Sequence, residues 1–156
     1  MDSIEEFRYL VLAAQREGAR TLAAALKDHE LTPSQAEAIA VLRDAARPLT
    51  VREIGQRLVC EGGSPSRLMS TLTHRGLVES SADPRDRRAT LLSLTPAGTA
   101  AAAAVSQIEQ NLYSVLKMIL DADQVAAAVP VLRTLVSNLP AGQALQRRIA
   151  DRTPAT

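Results

Sequence analysis

Aromatic side chains are nearly absent from this chain: no Trp, one Phe and two Tyr in 156 residues. With 46% hydrophobic residues there is material for a core, but Ala, Leu and Val must build it. An Ala/Leu-rich chain with only seven glycines favours helix. Cysteine occurs once, at Cys60, which excludes an intrachain disulfide and fits a reducing compartment. The two histidines, His29 and His74, stand far apart without Cys or carboxylates at zinc-ligand spacing, so neither a metal nor another cofactor is expected. No run of about 18 apolar residues occurs, so no membrane span is expected. The first residues, M-D-S-I-E-E, are acidic where a secretory signal is basic, which makes a cytoplasmic protein the expectation. No phosphate-binding loop, dinucleotide fingerprint or carboxylate pair is visible. Ser114–Lys117 fits S-x-x-K, but no S-D-N or K-T-G accompanies it and it lies on an amphipathic helical pattern. An enzyme is therefore not expected.

Net charge is only +1, but it is unevenly spread. Positions 1–42 hold four basic and seven acidic residues, positions 43–88 nine and six, positions 89–156 five and four. All nine basic residues of the middle segment are Arg, the side chain suited to bidentate phosphate or guanine contacts. A solvated surface with scattered ion pairs is the other reading of charge alone.

Apolar positions Ile4, Phe7, Val11, Ala14, Leu22 and Leu26 predict a long helix from Ser3 to about Asp28. Thr32-Pro33 caps a second helix to about Ala45. Arg47-Pro48-Leu49 reads as a short extended connector. Thr50 and Glu53 form a capping box for a third helix, Val51 to about Val59. Gly62-Gly63 make a turn, and Ser64-Pro65 start a fourth helix through Arg75, with Gly76 beyond its end. Two short apolar runs, Leu77-Val78 and Leu91–Leu94, flank an Asp-Pro turn and predict a hairpin. A long helix follows from about Ala97 to Leu120. A last helix runs from Asp121 or Asp123 through Leu139, with Pro130 expected to kink it. Pro140, Gly142, Arg147-Arg148 and Pro154 suggest a loosely packed end, with residues 146–156 frayed.

Thr50–Arg75 has helix-turn-helix proportions. The second helix of such a pair enters the major groove, its N-terminal part nearest the base edges. Its exposed set is Ser64, Ser66, Arg67, Ser70, Thr71, His74 and Arg75, short hydroxyls and arginines that suit base and phosphate contacts. A helical hairpin in an ordinary bundle, polar face to water, is the plainer reading of this segment alone. The hairpin tip changes the balance. Arg85, Asp86, Arg87 and Arg88 crowd positive charge on one turn, suited to a minor groove. Asp86 is expected to hold the Arg88 guanidinium by a charge-assisted bond. A winged module that binds protein rather than DNA has little need of such a tip.

With L-T-P-S-Q-A at Leu31–Ala36, S-R-L at Ser66–Leu68, R-G-L-V at Arg75–Val78, and above all D-P-R-D-R-R-A-T-L-L-S-L-T-P-A-G at Asp83–Gly98, the chain resembles the multiple-antibiotic-resistance regulator (MarR) family of bacterial transcription factors. The resemblance implies a mainly α winged helix-turn-helix fold. It implies that residues 1–30 and 97–145 form a helical homodimerisation region around a DNA-binding region at 31–96. It implies a cytoplasmic repressor that binds a palindromic double-stranded operator and is released by a small phenolic or amphipathic ligand. Ser66 and Arg67 match the family's recognition-helix pair, and Asp86 and Arg88 its wing pair. Two features depart from the pattern: Gly62-Gly63-Ser64-Pro65 at the start of the recognition helix, and Pro130 in the last helix. Phe7, Tyr9 and Tyr113 lie on the helical arms, as packing residues or as the lining of a ligand cavity; no ligand residue is assigned. Cys60 is expected as a buried small hydrophobe rather than a redox sensor.

Overall fold

A computed structural model of the chain describes residues 1–60, 63–84, 86 and 88–153. Seven α-helices and one small sheet follow each other among these residues: α1 Ser3–Leu26, α2 Pro33–Ala45, β1 Leu49–Thr50, α3 Val51–Gly55, α4 Pro65–His74, β2 Val78–Ala82, β3 Thr90–Leu94, α5 Pro96–Ile119, α6 Ala122–Val136 and α7 Pro140–Arg152. Local sequence chemistry starts most of the helices. Thr32 accepts the Gln35 N–H at 3.2 Å while the Gln35 side chain accepts the Thr32 N–H at 3.0 Å. Thr50 and Glu53 make the same reciprocal pair at 3.2 and 2.8 Å. Each pair satisfies backbone donors that a helix start otherwise leaves open.

The helix α3 is shorter than its apolar spacing predicts. It ends at Gly55 rather than near Val59. The carboxylate of Glu37 on α2 accepts the Val59 N–H at 2.7 Å and the Cys60 N–H at 3.1 Å. Those donors are thereby drawn out of the helical pattern and tied to the neighbouring helix.

The core lies between α2, α3, α4, the sheet and the first half of α5. Leu26, Ile39, Leu49, Ile54, Leu72, Val78 and Val105 are buried there. Each such side chain contributes about 1.5–3 kcal/mol by leaving water. The sheet has the order β1-β3-β2, antiparallel throughout, with Leu49 opposite Leu92 and Val78 opposite Leu94. The β2–β3 hairpin therefore grows out of the core and carries the wing tip into solvent. Its root is locked. Gly76 sits at φ +69, the left-handed cap that glycine adopts freely. Gly98 lies so close to the Leu77 carbonyl that a Cβ would collide with it.

The apolar stripe of α5 divides in two. Val105 is buried against the core, whereas Val115, Leu116, Met118 and Ile119 stand exposed. No residue of α6 is buried, and Ile4, Leu10 and Leu12 of α1 are open as well. Pro130 lies inside α6, and the helix continues through it to Val136. The helix expected to run through Leu139 ends at Val136. Leu139 precedes Pro140 and adopts an extended conformation (φ −99, ψ 155), because the proline ring disfavours helical geometry one residue before it.

Residues 140–152 are not a loose end. They form α7, which turns back and lies on α2, with Ala144 buried. Residues 146–152, expected to fray, are held by ion pairs: Arg57 Nε to Asp151 at 2.6 Å, Arg148 to Glu37 and to Asp44 at 3.4 Å each, and Arg152 to Asp44 at 2.7 Å. Their partners lie about a hundred positions earlier in the chain, beyond the reach of a local reading.

Candidate nucleic-acid interface

The α4 helix is capped by Ser64, whose hydroxyl accepts the Arg67 N–H, and Pro65 follows as its first residue. Met69 and Leu72 anchor it in the core. The spacing of those anchors leaves Ser66, Arg67, Ser70, Thr71 and His74 exposed. The helix is thus a rod buried along one side, with hydroxyls, a guanidinium and an imidazole on the other. The proline at its start does not disrupt it. Pro65 packs against Gly55, where an added Cβ would come within 3.0 Å of the proline ring, so the helix is set closely onto α3.

Several of these side chains are oriented before any partner arrives. Thr71 donates its hydroxyl to the Arg67 carbonyl at 3.0 Å. His74 Nδ1 lies 2.8 Å from the Ser70 carbonyl. A carbonyl only accepts, so Nδ1 carries the proton and Nε2 remains directed away from that bond. Arg75, expected among the exposed reading residues, is engaged elsewhere. Its Nη1 donates to the Glu30 carbonyl at 2.7 Å and to Gln35 Oε1 at 3.3 Å, bracing the end of α4 against the start of α2.

The wing follows the same logic. Val78 to Ala82 pair with Leu94 to Thr90, and beyond that ladder the Asp83 N–H donates to the Ala89 carbonyl at 3.1 Å. Asp86 Oδ1 accepts the backbone N–H of Arg88 at 3.0 Å. The expected bond was to the Arg88 guanidinium; among the described residues Asp86 orders the main chain of the tip instead. The reason is reach: two residues on, an Asx side chain meets the backbone N–H of a turn directly. Arg88 is exposed. Arg85, Arg87 and Gly62 lie outside the described residues.

No helix is long and apolar enough to cross a membrane, and no group of three or more His, Cys, Asp or Glu side chains assembles a metal site among the described residues. Cys60 is exposed as a residue, yet partial burial and the neighbouring Glu37 carboxylate push its thiol pKa up, away from the reactive thiolate. Sequence reasoning missed the acidic and basic residues that fix α7. The only signal was the Arg147-Arg148…Arg152 spacing, which puts Arg148 and Arg152 one turn apart on a helix.

Residues 31–98 match the family of the winged helix DNA-binding domain. No curated protein matches the sequence. Among solved structures the chain is similar to a mutant MarR from E. coli complexed with operator DNA, at 26% identity and a TM-score of 0.74, covering 87% of this chain and 99% of that one. It is similar to MepR of S. aureus in its DNA complex, at 22% identity and a TM-score of 0.77, covering 85% and 97%. It is similar to BpsR of Bordetella bronchiseptica, whose DNA binding is regulated by 6-hydroxynicotinic acid, at 22% identity and a TM-score of 0.71, covering 83% and 98%. Set beside an exposed polar helix on a buried helix-turn-helix and an arginine-bearing wing, these likenesses make residues 31–98 a winged helix DNA-binding domain and the chain a DNA-binding transcription regulator with a fold similar to that of MarR.

Proposed function

We propose that the protein is a homodimeric repressor that binds a palindromic operator through α4 and the wing. The observation that carries this reading is the open face of α4. Ser66, Arg67, Ser70, Thr71 and His74 share it, and no carboxylate forms an ion pair with Arg67 among the described residues. In this reading Arg67 takes a guanine edge, the hydroxyls take bases or phosphates, and His74 meets a phosphate. Ser64 sets the helix start and Arg75 fixes its far end. Arg88, with Arg85 and Arg87 beside it in sequence, seeks the minor groove, and Asp86 shapes the turn that presents it.

The exposed apolar faces of α1, α5 and α6 supply the reason for a dimer. A cleft of about 930 Å3 between α5 and α6 is lined by Leu116, Leu120, Val125, Val129 and Leu132. Apolar surface of that kind on a soluble regulator is stabilised by covering it with the same elements of a second copy. Residues 1–30 and 97–145 are then the dimer arms around a reading region at 31–96. Two recognition helices must stand about 34 Å apart to meet successive major grooves. A phenolic or amphipathic ligand that favours another spacing weakens DNA binding, and DNA weakens the ligand by the same factor. BpsR offers a parallel for a hydroxylated aromatic acid as effector.

Selection of bound duplexes from a random pool, with and without small phenolic acids, tests the proposal. A palindromic motif that is lost on adding a ligand is the expected result. Failure to enrich any motif at low salt refutes the reading.

A further inference from the structure

The arginines of α7 are not used alike. Arg148 and Arg152 are paired with Glu37 and Asp44 on α2. Arg147, directly before Arg148 in sequence, is exposed and turned elsewhere: its Nη1 donates at 3.3 Å to the carbonyl of Gln56, the residue just beyond α3. Directly before Gln56 lies Gly55, which is packed on Pro65 at the start of α4. Arg147 is therefore held beside the start of α4, the end that the proposed reading directs into a groove. A cleft of about 1050 Å3 joins these parts, lined among others by Arg52 of α3, Pro65 and Ser66 of α4, and Ala144 and Arg147 of α7. Two guanidiniums line it, and among the described residues no carboxylate does. Arg52 is exposed and has no ion pair among the described residues.

This concentration of positive charge beside a base-reading helix matches what flanks a base in DNA. The first helix of a helix-turn-helix crosses the sugar-phosphate backbone, so in that reading Arg52 on α3 and Arg147 of α7, bonded just beyond the end of α3, face the strand rather than the bases. Arg148 and Arg152 have their charge neutralised within the protein; among the described residues Arg147 has only a neutral carbonyl, which leaves its charge available. We propose that Arg52 and Arg147 hold backbone phosphates beside the bases read by α4, which makes the C-terminal helix α7 part of the DNA interface. This rests on the DNA-binding reading above and adds a contact that the wing and recognition helix do not provide.

The test uses the full-length protein and a fluorescent duplex carrying the selected motif, titrated by anisotropy across a series of KCl concentrations. Each neutralised phosphate contact contributes about 0.9 to the slope of log K against log [salt]. Arg52→Gln and Arg147→Gln are each expected to lower that slope by about 0.9, the double variant by about 1.8, with the selected motif unchanged. Because Arg147 also touches the end of α3, thermal melting is followed in parallel and Arg147→Lys is included. A lysine that restores the slope lost in Arg147→Gln supports a phosphate contact. A slope that stays at the wild-type value in both glutamine variants overturns the inference while leaving DNA binding intact. A slope that falls only together with the melting temperature, and is not restored by lysine, assigns Arg147 to structure alone and also overturns it. Wild-type protein that ignores duplex DNA at low salt fails the underlying reading, and this inference with it.

Discussion

Arg67 and Arg88 have similar chemistry but stand in different settings, and the difference predicts different phenotypes. Arg67 is the third residue of α4, on a helix fixed in the core by Met69 and Leu72. A guanidinium held that firmly can discriminate a base. Arg67→Ala is expected to cost about 1–3 kcal/mol in binding and to relax preference at one position of the selected motif. Equal information at every position after repeated selection would rule this out. Arg88 is carried on a turn ordered by Asp86 through the main chain, with the side chain itself exposed. Arg88→Ala is expected to weaken all duplexes alike and to lower the salt slope by about 0.9. Unchanged slope and affinity would remove Arg88 from the interface. The exposure and charge of both residues were legible in the sequence, because each follows from its place on a helix face or a hairpin tip. The engagement of Arg75 with Glu30 and Gln35 was not, since it depends on how α4 meets α2.

The helices show where local chemistry suffices and where it stops. Thr95 caps α5 by accepting the Gly98 N–H at 3.0 Å, and it donates its own hydroxyl to the Gly76 carbonyl at 2.7 Å. One side chain thus joins the end of the α4 turn to the start of α5 across the wing root. Thr95→Ala is expected to cost about 1–2 kcal/mol by chemical denaturation, at the upper end for a cap because a second bond is lost. A cost near zero would mean that water replaces both bonds. At α7 the controlling group is Asp44. Burial works to raise its pKa, but hydrogen bonds from Arg152 and Arg43, with their charges, outweigh it and hold the carboxyl below its ordinary value. A carboxylate depressed in the folded state contributes stability above its unfolded pKa, and that contribution is lost as pH falls through the folded value. Asp44→Ala is therefore expected to lower stability by on the order of 3 kcal/mol near neutrality. The gap to wild type should shrink as the pH drops below about 4. Melting curves of the two proteins that stay parallel into acid would show that the Asp44 charge does not hold α7. The start of α7 was marked by Pro140, but its attachment was hidden, as was the early end of α3 imposed by Glu37. Both depend on charges far apart in the chain and adjacent only in the fold.

At the scale of the whole molecule, the exposed apolar arms and the polar reading face make one argument. Leu116 lines the α5–α6 cleft and is about half exposed. Leu116→Glu places a charge on the surface proposed to meet a second copy, where burial of an unpaired carboxylate is costly. Sedimentation is expected to show a folded monomer, and operator affinity is expected to fall because two half-sites are no longer held together. A dimer that persists with full affinity would locate the interface elsewhere. The sequence by itself determined the order of elements as far as the sixth helix, the capped helix starts, the arginine-rich hairpin and the polar residues of the fourth helix. Those follow from periodicity, caps and turn residues, all of which act within a few positions. Only the tertiary structure decided that α3 stops at Gly55, that Arg75 bonds Glu30 and Gln35, that the chain past Pro140 becomes a helix clasped by half-buried carboxylates, and that Arg147 comes to rest beside the start of α4. Each of these is fixed by hydrogen bonds and charges between segments whose closeness exists only once the core between them has formed.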